Sequence, residues 1–114
     1  MENKVLYNVT VSINAEMEEE WLRWMIEQHI PDVMRTGFFL ENKVCRVHAY
    51  EDGGLTYAIQ YTAKSMHDYE RYQKECAPQL QKDHNDRFGG KFEAFRTLLE
   101  IVHEKKAPFT DVYP

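Results

Sequence analysis

The residue best placed to do chemistry is His29, inside the run WLRWMIEQHIPDVM at positions 21–34. Imidazole titrates near neutrality and serves as base, acid or ligand. Leu22, Met25, Ile26, His29, Ile30 and Val33 are spaced by three and four, so the ring lies on the apolar stripe of an amphipathic helix. Two residues on, Pro31 has no N–H to offer the carbonyl of Glu27, which is then free for a water or a ligand donor. Tyr7 and Trp24 would wall such a pocket. The plainer alternative is a partly buried histidine satisfied by one hydrogen bond, with Pro31 only shaping the helix end.

A second constellation gathers on a sheet face. Alternation brings Asn8, Thr10, Ser12, Arg46, His48, Thr56, Gln60 and Thr62 together, and Arg96 joins them in one of two registers. Two subunits closed over this face would make a wet cationic cavity for a carboxylate or enolate, since guanidinium forks match planar anions. Left to solvent, the same residues are an ordinary polar strand face. The candidate ligand-binding set is therefore Tyr7, Trp24, His29, Arg46, His48, Gln60 and Arg96, with His29 the candidate catalytic group.

No metal or cofactor is expected. His84 stands beside Asp83 and Asp86, but successive helix positions do not converge on one ion, and no His-x-x-x-His pair occurs. His67, Asp68 and His103 fare no better. Gly53-Gly54 and Gly89-Gly90 read as turn and cap rather than a phosphate loop, and no serine sits in a nucleophile elbow.

The elements that must position these residues follow from periodicity. Val5, Tyr7, Val9, Val11 and Ile13 alternate with polar residues as a half-buried strand, and Tyr7, Tyr57 and Tyr61 read as core aromatics. Asn14 offers a helix N-cap, and Gly37 closes that helix after Thr36. Val44–Tyr50 and Leu55–Thr62 form a hairpin around the turn Glu51-Asp52-Gly53-Gly54. Ser65, with Asp68 three residues on, caps a second helix striped by Tyr69, Tyr72, Cys76 and Leu80. Pro78 kinks or divides it, and Gly89-Gly90 ends it. Phe92–Val102 reads as a fourth strand, although Phe95, Leu98, Leu99 and Val102 also fit a helical period. The order predicts an α+β, ferredoxin-like βαββαβ fold, with two helices on one face of a four-stranded antiparallel sheet. Residues 1–103 are expected to form one domain, and 104–114 an extended C-terminal tail.

Composition narrows the function classes. A formal net charge of −5, with Lys105-Lys106 the only basic cluster, argues against nucleic acid as partner. Glu16, Glu18, Glu19 and Glu20 are better read as favourable charges at a helix N-terminus than as a metal site. Seven tyrosines and six phenylalanines demand a packed core. The start has no signal-peptide shape and no apolar run reaches membrane-spanning length, so a cytoplasmic protein with no membrane partner is expected. Cys45 and Cys76 are read as reduced packing residues.

The Trp-x-x-Trp…His-Ile-Pro helix and the strand Phe95-Arg96-Thr97, in this order of elements, resemble a small bacterial family of unknown function in the dimeric α/β-barrel superfamily. The resemblance covers nearly the whole chain and is most specific from His29 to Met34 and on to Gly37. It implies a homodimer that pairs two sheets into a barrel, with a pocket between helices and sheet in each subunit. The tail residues Phe109, Val112 and Tyr113 would dock on the partner or fray. Relatives by fold include cofactor-independent monooxygenases, haem-degrading enzymes, muconolactone isomerase-like proteins and stress-responsive barrel proteins. The family itself carries no assigned reaction, so an activity taken from them is analogy of fold.

Two readings remain. The default is a non-catalytic dimeric module for binding or regulation. The alternative is a cofactor-independent, monooxygenase- or isomerase-like enzyme, in which His29 deprotonates a small phenol or enolisable ketone between the first helix and the sheet. A concave pocket lined by His29 and aromatics favours the second; a filled core with His29 tied to a backbone carbonyl favours the first.

Overall fold

Strict alternation of apolar residues builds the central strand β1, Val5–Ile13. The computed structural model describes residues 2–48 and 55–108. β2 is Glu41–Arg46, β3 is Thr56–Ala63 and β4 is Phe92–Glu100. The strands lie in the order β2-β3-β1-β4, each pair antiparallel. This is the expected α+β, ferredoxin-like sheet. The helical rival for β4 fails because β1 offers a free edge along nine residues, and Phe92 to Glu100 pair with Ile13 to Val5.

The first helix is not regular. Asn14 caps nothing with its side chain; a short 3-10 turn, Ala15–Met17, leads instead into α1, Glu18–Trp24. Met25–His29 then forms a π-turn, in which the Ile30 N–H reaches back to the carbonyl of Met25, before α2 resumes at Ile30–Met34. Pro31 explains the widening: without an N–H it leaves the ladder unmade one turn earlier, and a wider turn absorbs the defect. The wide turn also corrects the expected stripe, because Ile26 is turned out and 54% exposed. Gly37 closes the helix with φ 82°, a conformation costly for any residue with a Cβ.

The second helix divides as Pro78 requires. α3 is Met66–Glu75, opened by the Ser65 Oγ that accepts the Asp68 N–H at 3.2 Å, and α4 is Ala77–Phe88. Trp21, Phe88, Val33 and Tyr72 pack from the helices onto Tyr7, Val11, Tyr57, Ile59 and Tyr61 of the sheet.

Strand register corrects the sequence reading of the polar face. Arg46 pairs with Tyr57 and Arg96 with Val9, so both arginines lie on the helix-covered face. In β2, Arg46 and His48 alternate with Cys45 and Val47, and by hydrophobicity alone the apolar pair would face the core. β2 pairs from Glu41 rather than Val44 and is an edge strand, so Arg46 extends along the rim of the core. Its guanidinium sits over the Tyr57 ring, 5.4 Å from the centroid, and donates to the Tyr57 hydroxyl at 3.0 Å. Cys45 is consequently exposed on the open face rather than packed. The turn at Glu51-Asp52-Gly53-Gly54, the end of the expected strand at 49–50, and the tail residues Phe109, Val112 and Tyr113 lie outside the described residues.

Candidate functional site

Between the helices and the sheet lies a cavity of about 280 Å³. Its floor is the sheet, with Tyr7 and Val9 from β1, Tyr61 from β3, and Phe92 and Arg96 from β4. Its roof is helical, with Met25 and His29 from the π-turn, Tyr72 from α3, and Gln81, His84 and Asn85 from α4. The volume is near the lower end of ligand pockets, which run from about 300 Å³, and suits a molecule of one or two rings.

His29 owes its place to the π-turn. Its ring is half-buried and stacks on Trp24, with centroids 4.9 Å apart and planes 25° from parallel. Among the described residues it has no hydrogen bond to a backbone carbonyl. Burial holds its imidazolium below the ordinary range, although the carboxylates of Asp32 and Asp83 pull the other way. The free base therefore dominates at neutral pH. His84 stands across from it, with ring centroids 5.7 Å apart. The buried Trp21 indole donates to His84 Nε2 at 2.9 Å, and burial, with the charges of His29 and Arg96, takes the His84 pKa down to about 4.

Arg96 donates from Nε to the Tyr7 hydroxyl at 3.1 Å, which orients the guanidinium at the cavity edge. Among the described residues no carboxylate lies within ion-pair distance of it. An arginine without a counter-ion beside two neutral histidines makes this end of the cavity receptive to an anion. Burial raises the pKa of Tyr61 and Tyr72, so both hydroxyls stay protonated donors.

The sequence-derived set therefore divides. Tyr7, His29 and Arg96 meet at the cavity, and Trp24 backs His29 from behind. Arg46 is held at the rim by Tyr57, whose hydroxyl donates in turn to Glu18 Oε2 at 2.6 Å. His48 is exposed beyond the end of β2. Gln60 belongs to the opposite face of the sheet, where its amide donates to Asn8 Oδ1 at 3.3 Å and Asn8 donates to Thr10 Oγ1 at 3.0 Å. His84 was missed as a cavity residue. Its signal was present, since Leu80, His84 and Phe88 recur every four residues and continue the helical stripe. Among the described residues no three His, Cys, Asp or Glu side chains converge as a metal set. No helix among them is long and apolar enough to cross a membrane.

The fold is shared with proteins of distant sequence. A dimeric ferredoxin-like protein from an uncultured marine organism superposes with a TM-score of 0.73 at 15% identity, over 91% of this chain and 100% of that one. SnoaB, a cofactor-independent oxygenase from Streptomyces nogalater, superposes with a TM-score of 0.61 at 10% identity, over 94% of this chain and 99% of its own. An ethyl tert-butyl ether d (ethd) family protein from Bacillus halodurans superposes with a TM-score of 0.62 at 9% identity, over 82% and 96%. At such identities the likeness establishes the fold alone. No curated protein is a significant match in sequence. Residues 4–102 do match a family model, and over that span the chain belongs to the family described as a domain of unknown function, DUF4286.

Proposed function

We propose that this protein is a small-molecule enzyme that binds a planar phenol or enolisable ketone between the first helix and the sheet, and removes and returns a proton there. The observation that carries the reading is the cavity itself, lined by His29, His84 and Arg96, with no carboxylate within ion-pair distance of the arginine among the described residues. It favours the enzyme over the non-catalytic module, because among the described residues His29 is tied to no carbonyl, and it lines open space. Neutral His29 takes the proton from the substrate oxygen or α-carbon and becomes imidazolium. The substrate becomes a phenolate or enolate, whose charge Arg96 meets; the imidazolium N–H exchanges with solvent, and His29 returns a solvent-derived proton in the reverse step. The chain's own side chains supply every group this exchange needs. Distant neighbours include an oxygenase described as cofactor-independent, which is compatible with such chemistry.

The test is deuterium uptake from D2O at the α-carbon of 1-indanone, read by mass spectrometry. Wild type should accelerate uptake above buffer, and His29→Ala should lose about 10²–10⁴-fold, the usual share of a general base. His29→Ala should also melt within about 0.5 kcal/mol of wild type, as for a substitution outside the packed core. A loss of about 1–3 kcal/mol with no exchange activity in either protein would instead make His29 a packing residue.

We further propose that two copies pair through the sheet face away from the helices, as the fold resemblance implies. Supporting this, Phe95 and Leu99 are 63% and 44% exposed on that face. They stand opposite Thr10 and Leu6 on β1. Large apolar side chains gathered in one place usually mark a contact surface. Sedimentation equilibrium at tens of micromolar should show a dimer of the 13.6 kDa chain. Phe95→Glu with Leu99→Glu should shift it to monomer, and a wild-type monomer at that concentration removes the proposal.

A further inference from the structure

The two histidines of the cavity are held in different ways. Trp21 is completely buried, and its indole N–H donates to His84 Nε2 at 2.9 Å. An indole nitrogen donates only, so Nε2 must present its lone pair. The single proton of a neutral His84 ring then sits on Nδ1. Phe92 meets the ring edge-on at 4.2 Å between centroids, and Phe88 lies at 6.0 Å, so the ring is packed as well as hydrogen-bonded. Among the described residues no protein acceptor meets Nδ1. His29 has no such anchor: it stacks on Trp24 and lies across from His84, and both its nitrogens lack a protein partner among the described residues.

We infer that Trp21 locks His84 as the neutral Nδ1–H tautomer, making it a hydrogen-bond donor to the anion held at Arg96, and leaves His29 as the cavity's base. The inference rests on the proton-exchange reading above and assigns roles within it. When a phenol or ketone gives its proton to His29, negative charge gathers on the substrate oxygen. That oxygen then has two donors, the Arg96 guanidinium and the His84 Nδ1–H. His84 keeps its proton throughout, because releasing it would leave an imidazolate. A neutral imidazole can polarise an oxygen in this way without competing for the substrate's proton. Trp21 touches no substrate, so it is a positioning residue.

Two measurements test this. The first is a two-bond 1H–15N correlation spectrum of the labelled protein at pH 7. It should show His84 as Nδ1–H only, while Trp21→Phe should let the Nε2–H form appear. A wild-type His84 carrying its proton on Nε2, or on both nitrogens, overturns the inference. The second uses 4-nitrophenol, whose absorbance reports the bound phenolate. His84→Gln keeps a neutral N–H donor and should bind the phenolate within about threefold of wild type, whereas His84→Leu should bind it about tenfold or more weakly, the scale of one hydrogen bond to a charged group. Gln as poor as Leu would mean that His84 is needed as a base, which overturns the division of roles. If wild type neither binds 4-nitrophenol nor exchanges 1-indanone, the proton-exchange reading fails and takes the donor role with it. The tautomer spectrum still decides the lock separately.

Discussion

Trp21→Ala should cost the fold about 3–5 kcal/mol, the range for emptying a buried aromatic site. The indole is fully enclosed and packs on the Tyr57 ring with centroids 5.3 Å apart. Its loss opens a void in the middle of the helix–sheet interface and leaves His84 Nε2 without its donor. Small domains hold only about 5–15 kcal/mol in total, so the variant should sit close to the edge of folding. Trp21→Phe separates the two losses. It keeps most of the volume and removes only the N–H, so its cost should be nearer about 1–2 kcal/mol, the price of one orphaned acceptor. Urea melts with matched slopes read both values. A Trp21→Ala cost below about 1 kcal/mol would mean that the site collapses freely, contrary to tight core packing.

The same residue shows how far the sequence could be read. The alternation in β1 and the three-and-four spacing of the first helix are local patterns, and they sufficed for the sheet, the helices and the order of elements. Ser65 and Asp68 announced the start of α3, and Pro78 its separation from α4. His29 could be singled out because an imidazole interrupts an apolar stripe just before a proline. The partner that Trp21 selects lies 63 positions away, and no periodicity connects the two. In sequence His84 stands with Asp83 and Asp86, while its packing comes from Trp24, Phe88 and Phe92.

Register is where the sequence misled. A one-residue change of phase moves every side chain to the other face. In β2 the apolar pair Cys45 and Val47 suggested one phase, and pairing with β3 imposed the other. Edge strands have less core to enforce their phase, so a long arginine can occupy the inward position and extend to the rim. Arg96 was ambiguous for a related reason: β4 is the other edge, and its inward and outward residues are equally mixed. Only pairing with Val9 brings that guanidinium to Tyr7 and to the edge of the cavity. The cavity thus depends on long-range pairing even though each element that frames it is locally encoded.

Acidification from pH 7.5 to 5 should weaken this fold through the two histidines of the cavity. His84 titrates near 4 when folded and near 6.5 when unfolded, because burial disfavours its charged form, assisted by His29 and Arg96. His29 moves in the same direction, again chiefly through burial. The unfolded chain therefore binds more protons than the folded one between about pH 6.5 and 4, so stability rises with pH across that interval. The contribution is fully present above pH 6.5 and disappears progressively as pH falls towards 4. Linkage for a shift of this size, discounted for the ring's partial exposure, gives a loss of about 1–2 kcal/mol between pH 7.5 and 5. The paired carboxylate of Glu75 is held below its ordinary value by Arg71, so its titration belongs to more acid solution. Urea melts at half-unit pH steps should trace the decline, and His84→Gln should flatten it by removing the group with the larger shift. A stability curve level from pH 7.5 to 5 would mean that His84 accepts a proton in place, breaking the Trp21 bond at little cost. The ring would then be a poor candidate for a neutral donor at any pH where His29 works as a base.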